Sequence, residues 1–244
     1  MTRLLHAEIL KLLTTRLLLW LALLVIALEV LVIALHVGHD SLDSLASASN
    51  QRDAVSIAAV SVLISLILGI VASAGEYTHG TINHTLLVSP VRERVAGSKL
   101  ATAAIAGAFL ALVSFAFAWA FAALLLSARS VPLHLFTQAT LRLLLGTILA
   151  AAIAGALGAG FGLLLRRQTA AIVVALVWLL VGEPLLGIAG AERYGPGHAI
   201  ASVVEAGDQG SDLLGFGGGL TVALLYAVLA GTLGTIAMKR SDVN

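Results

Sequence analysis

The sequence predicts an all-α integral membrane protein of six transmembrane helices, and three observations carry that prediction. Of its 244 residues, 59% are hydrophobic and 11% charged, less than half of the roughly 25% charge typical of a water-facing domain. The apolar residues gather into six runs, each close to the roughly 20 residues that cross a ~30 Å hydrocarbon core. The basic residues concentrate in the flanks on one side of those runs. Lipid must therefore be the solvent for most of the surface. Cysteine is absent, which excludes disulfides, thiolate catalysis and Cys-ligated metals and leaves the compartment open.

The chain opens with TRLLHAEILKLLTTR. On a helix, Leu5, Ile9, Leu12 and Leu13 share one side, while Arg3, Glu8, Lys11 and Thr15 lie mostly elsewhere. The stripe predicts an amphipathic helix lying in the interface; the plainer alternative is an extension of the first span into water. The first apolar run, near Leu17–Leu35, follows Arg3, Lys11 and Arg16 as a signal peptide would. It exceeds the 7–15 apolar residues of such a signal, so a retained helix is expected.

Further spans are expected near Ala54–Ala74, Leu100–Ser127, Leu143–Leu165, Thr169–Ile188 and Leu220–Met238. The third is long enough to tilt or to extend beyond the bilayer. With both termini inside, the inner side holds Arg3, Lys11, Arg16, Arg92, Arg94, Lys99, Arg166, Arg167, Lys239 and Arg240. The outer side holds only Arg52, Arg129, Arg142 and Arg193, a positive-inside bias that predicts both ends in the cytoplasm. Outer loops are acidic, with Asp40, Asp43, Asp53, Glu192, Glu205, Asp208 and Asp212. Arg166-Arg167-Gln168 is a minimal inner turn, which predicts adjacent, antiparallel fourth and fifth spans. The stretch Gly190–Gly219 is longer and rich in glycine. Its Ile200, Val203 and Val204 point to a short helix dipping into the outer face, with an irregular Gly-rich loop as the alternative.

Between the second and third spans lies a polar island, Glu76–Lys99 (EYTHGTINHTLLVSPVRERVAGSK). Ile82, Leu86 and Leu87 give it an apolar face, and Glu76, Arg92 and Arg94 give it charges that would orient a partner. Ser89-Pro90 would end a helix there, because the residue before proline is pushed out of the α region. An ordinary amphipathic inner loop is the plainer reading. His79 and His84 are five residues apart, on different helix faces and without a third ligand, so a metal site is not expected.

Within the spans, Ser61, Ser65, Gly69 and Ser73 recur every four residues, and Gly158 and Gly162 form a small-xxx-small pair. Both patterns favour close helix packing. Glu29 and Glu183 are the acids within spans, read as lying towards the outer ends. An intramembrane carboxylate is a functional candidate by default, although near an interface it reaches headgroups or water. Glu183-Pro184 predicts a kink in the fifth span, where proline removes a backbone hydrogen bond, and a gate or cavity role for it.

The order Glu76…Gly80-Thr81-Ile82…Leu86-Leu87-x-Ser89-Pro90-Val91-x-x-Arg94…Lys99 resembles the cytoplasmic signature of permease subunits of the type-2 (ABC-2) exporter family of ABC transporters. Glu8-Ile9-x-Lys11-Leu12 with Thr15-Arg16, the Pro196-Gly197-His198-Ala199 segment and the closing Lys239-Arg240-Ser241-Asp242-Val243 agree with it. The resemblance implies an amphipathic connecting helix before the first span, a coupling helix that docks into a separate ATPase, and re-entrant outer helices between the fifth and sixth spans. It assigns ATPase coupling to Glu76, Gly80, Thr81, Ile82, Leu86, Leu87, Ser89, Pro90 and Arg94. It makes the second and fifth spans the pathway lining, so that Ser61, Ser65 and Ser73 would face substrate and Glu183 and Pro184 would serve a gate. It further implies two ATPase copies carrying ATP and Mg, a second permease subunit (a copy or a sibling), surrounding lipid, no nucleic acid, and a bacterial cytoplasmic membrane.

The chain itself lacks a Gly-x-x-x-x-Gly-Lys-Ser/Thr phosphate loop, and Gly97-Ser98-Lys99 does not have that spacing, so no catalysis is expected on it. Two other classes compete. A membrane-embedded enzyme would need clustered acids or histidines such as HExxH, which are missing. An ATP-independent carrier or channel would use paired acids or broken helices near the midplane and would leave the inner-loop pattern without a purpose. A permease-like sensor that has lost transport is a further alternative.

Overall fold

The computed structural model describes residues 2–82, Thr85, Leu87, 91–205 and 213–240. Leu86, Ser89 and Pro90 of the expected coupling segment lie outside the described residues, as do His84, residues 206–212 and the closing Ser241-Asp242-Val243. Every regular element among the described residues is helical, and six helices are long and apolar enough to cross a membrane.

An amphipathic helix, Thr2–Thr14, leads through a left-handed Arg16 into the first span, Leu17–His39. The second span runs over Ala48–Thr78 and includes a 3₁₀ turn at Ile57–Ala59. The third, Arg92–Ala128, is 37 residues long; at 1.5 Å per residue it outreaches the ~30 Å hydrocarbon core by nearly five turns. The excess explains why Arg92, Arg94 and Lys99, read as loop residues, are helical. The fourth (Gln138–Leu165) and fifth (Gln168–Ile188) spans meet at Arg166-Arg167, where Arg166 takes φ 56. The sixth is Phe216–Arg240.

The fourth span is the hub, and glycine makes it so. A Cβ on Gly158 would strike the Leu66 carbonyl of the second span, one on Gly155 the Ala103 carbonyl of the third, and one on Gly160 the Ala230 backbone of the sixth. In lipid no hydrophobic force draws helices together, so van der Waals contact between bare backbones has to hold them. Away from the membrane interior, buried Gln51 donates to the Leu45 and Pro132 carbonyls at 2.9 and 2.8 Å and accepts from His134 N–H at 2.7 Å. This one amide ties the loop before the second span to the loop before the fourth.

The irregularity in the fifth span lies ahead of the proline. A π-helical turn over Trp178–Gly182 precedes the Glu183–Ile188 helix. Pro184 has no N–H for the preceding turn and its ring crowds the carbonyl four residues back, and widening that turn relieves both. Glu29 also departs from the expectation: it lies at the middle of the first span, not towards an end, and is 0% exposed.

Candidate functional site

Two features stand out from the apolar body, a cluster of charges at one side of the membrane and a cavity towards the other. The first lies on the side where the amphipathic helix packs and the sixth span ends. There Glu8 of the amphipathic helix, Glu76 at the end of the second span and Lys99 two turns into the third converge with Lys11. Lys99 Nζ lies 2.7 Å from Glu76 Oε1 and 3.0 Å from Glu8 Oε2. Lys11 Nζ lies 2.8 Å from both Glu8 Oε1 and Glu76 Oε1. Thr85, in the segment between the second and third spans, joins them, accepting from Lys11 at 3.2 Å and donating to Glu76 Oε2 at 3.4 Å.

Two cations and two anions thus form a closed, charge-balanced quartet. The Lys99 side chain is 1% exposed, so its charge depends on both carboxylates. Lys11 is half-exposed. Burial disfavours its ammonium, but the hydrogen bonds to Glu76 and Glu8 and the charges of both outweigh that, and its pKa is raised. Glu8 therefore sits on the buried side of its helix, one turn before buried Leu12, a correction to the stripe read from sequence. No local periodicity places an acid among leucines unless a cation waits opposite.

Around this quartet the expected coupling residues separate. Glu76 is turned inward and does not project to solvent. Gly80 takes φ 69 and turns the chain out of the second span, Thr81 follows it exposed, and Ile82 packs with Val95, Ala96, Leu163 and Met238. Leu87 is 83% exposed, and Arg94 is exposed on the first turn of the third span. Arg92, read as a charge for a partner, donates to the Met238 and Lys239 carbonyls at 2.8 Å each, satisfying the C-terminus of the sixth span. Glu8, Lys11 and Lys99 were missing from the sequence-derived site, although all three occur in the quoted motifs; the signal that could have found them is two acids and two lysines bracketing the inner ends of three apolar runs.

The second feature is a cavity of about 560 Å³ on the opposite side, bounded by the second, fourth, fifth and sixth spans and the helix Pro196–Val204. Val62, Leu66, Leu157, Trp178 and Ile200 contribute to its wall. The π turn opens onto it, and a Cβ on Gly182 would lie 2.9 Å from the Trp178 ring, so that glycine leaves room for the indole. Glu183, 3% exposed, reaches from the fifth span to the start of Pro196–Val204. Its carboxylate accepts from Gly197 N–H, from His198 N–H at 3.2 Å and from His198 Nδ1 at 2.8 Å. A carboxylate on two free N–H groups at a helix start is the favourable polarity. Gly197 is required for the approach: a Cβ there would lie 2.6 Å from Glu183 Oε2. Pro184 stands beside it in the same turn.

The serine ridge faces elsewhere. Ser61 and Ser65 are fully buried, donating to the Ala58 and Ser61 carbonyls at 2.6 and 2.7 Å. Ser65 and Ser73 meet Gly107 and Gly162, and a Cβ on Gly69 would strike the Gly155 carbonyl. In this chain the ridge packs against the third and fourth spans. At mid-membrane, Ser114 donates to Glu29 Oε1, and Glu29 Oε2 has no hydrogen-bond partner among the described residues. No group of three His, Cys, Asp or Glu suited to a metal occurs among the described residues.

No curated protein sequence matches the chain significantly. The family model described as ABC-2 family transporter protein matches residues 4–182, from the amphipathic helix through the π turn of the fifth span. With six spans, and a match that runs from the amphipathic helix into the fifth of them, the chain belongs to the ABC-2 family of transporter membrane proteins.

Proposed function

We propose that this transporter permease is the membrane subunit of an ATP-driven exporter, coupled to a separate ATPase through the segment that follows Glu76. The quartet of Glu8, Lys11, Glu76 and Lys99 carries the reading. It binds the amphipathic helix, the end of the second span and the start of the third into one body at the point where the coupling segment leaves the membrane. Exposed Leu87 and Arg94 are free to meet the partner, while Thr85 in the same segment is hydrogen-bonded into the quartet. A push on that segment therefore reaches three membrane elements together.

In this reading ATP and Mg bind the partner, present in two copies, and a second permease subunit completes the pathway. The positive-inside distribution of Lys and Arg puts both termini in the cytoplasm of a bacterial-type inner membrane. Closure of the ATPases moves the coupling segments, and the permease halves change which face is open; a difference in affinity for the two states drives the switch. The cavity forms part of the pathway, and the Glu183 contact with Gly197 and His198 latches its far end.

A second reading, an ATP-independent carrier, has one observation in its favour: Glu29, buried at mid-span with an orphaned carboxyl oxygen. One experiment separates the two. The tagged chain is recovered from native membranes in mild detergent, its partners are identified by mass spectrometry, and vanadate-sensitive hydrolysis is assayed. The exporter reading expects a co-purifying subunit with a phosphate loop, and hydrolysis lost on scrambling residues 80–94. A chain that purifies alone in several detergents transfers the argument to Glu29.

A further inference from the structure

Among the described residues, the cavity wall contains no lysine, arginine or histidine, and Glu205 is the charged residue in it. That carboxylate is exposed at the end of the helix Pro196–Val204, and no hydrogen bond or ion pair joins it to another described residue. The other polar groups near the wall are already occupied. Tyr226 Oη donates to the Tyr194 carbonyl at 3.1 Å, and Glu183 is taken up by Gly197 and His198. What remains among the described residues is an apolar chamber with the Glu205 carboxylate, which has no hydrogen-bond partner there, at its edge and the Trp178 indole in its wall.

Resting on the reading of this cavity as part of the transport pathway, we infer that it binds lipophilic cations: compact apolar molecules carrying one positive charge. The apolar wall accepts the hydrocarbon body by removing it from water. A carboxylate bordering a low-dielectric space attracts a cation and repels an anion more strongly than it would in water. An indole face adds to the attraction for the cation. Lipophilic anions meet the reverse field and find no basic group among the described wall residues.

Tetraphenylphosphonium and tetraphenylborate test the inference, since they share shape and apolar surface and differ in sign. Trp178 is made the sole tryptophan by Trp20→Phe and Trp119→Phe, and its fluorescence is titrated with each ion in detergent, without any ATPase. The expected result is saturable quenching by the phosphonium with a Kd at least tenfold below that of the borate. Glu205→Gln brings the two constants together, and Ala201→Phe, which fills the cavity from the half-buried side of the helix, abolishes both. Equal affinities before mutation, a ratio unmoved by Glu205→Gln, or no saturable quenching by either ion overturns the inference. Failure here with an ATPase co-purifying leaves the exporter reading intact and removes this substrate class. Cation-selective binding without any ATPase partner does the opposite.

Discussion

Lys99 Nζ and Glu76 Oε1 are 2.7 Å apart, and the lysine side chain is 1% exposed. Such a pair is held by geometry, not by gain in charge attraction alone, because both ions have given up water. The first prediction follows from that asymmetry. Lys99→Ala leaves Glu8 and Glu76 facing each other with only half-exposed Lys11 between them, and costs roughly 3–5 kcal/mol, read as a lower midpoint of thermal unfolding in detergent. Replacing both partners by apolar residues, Lys99→Met with Glu76→Leu, restores much of that stability but not ATP-driven transport. Recovery of both together would show the quartet to be structural only.

Leu87 and Arg94 are exposed and make no described contact that folding needs. Leu87→Asp or Arg94→Asp is therefore expected to leave insertion and unfolding midpoint unchanged and to uncouple ATP hydrolysis from transport. Transport and hydrolysis measured side by side in reconstituted vesicles check this; normal export by both variants removes the coupling assignment.

Glycine substitutions separate packing from helix propensity. Gly158→Ala pushes a methyl group into the Leu66 carbonyl oxygen and has to displace the second or fourth span, at a cost of roughly 1–3 kcal/mol. Gly38→Ala meets nothing within 4 Å and is neutral or stabilising by up to about 1 kcal/mol. Unfolding midpoints of the two variants should move in opposite directions or differ by several degrees.

Lys11 provides the pH test. Its pKa is raised by Glu76 and Glu8 against the opposing effect of burial. A raised cation contributes its full stability below the unfolded value of about 10.4 and loses it as pH climbs through the folded value. The difference in unfolding midpoint between the parent chain and Lys11→Gln should stay flat from about pH 7 to 9 and shrink above about 10.4. A difference that closes near neutrality would mean that Lys11 is not the group holding this tie.

The latch at the cavity is tested by Gly197→Ala, whose methyl group would occupy the space of the Glu183 carboxylate. Loss of the N–H contacts frees the start of Pro196–Val204, and faster amide hydrogen exchange at Gly195–Ala199 relative to the parent chain is the expected readout. Unchanged exchange there would argue that Glu183 holds nothing.

The sequence by itself determined the six spans, the amphipathic lead helix and the excess length of the third span. Each depends on local composition measured against a bilayer of fixed thickness, and such a property is written along one stretch of chain. It also located the disturbance around Glu183-Pro184. The partners of its charges were left to the tertiary structure. Lys99 meets Glu8 across 91 residues, Arg92 turns to the end of the sixth span, Glu183 finds Gly197, and Glu29 falls at mid-span. Which helix faces which is decided by glycine and alanine surfaces fitting backbone to backbone, a complementarity between distant segments that leaves no periodic trace in either one. The same packing brings the 3₁₀ turn, the π turn and the capped helix Pro196–Val204 around one cavity, and only that convergence makes three separate irregularities into a site.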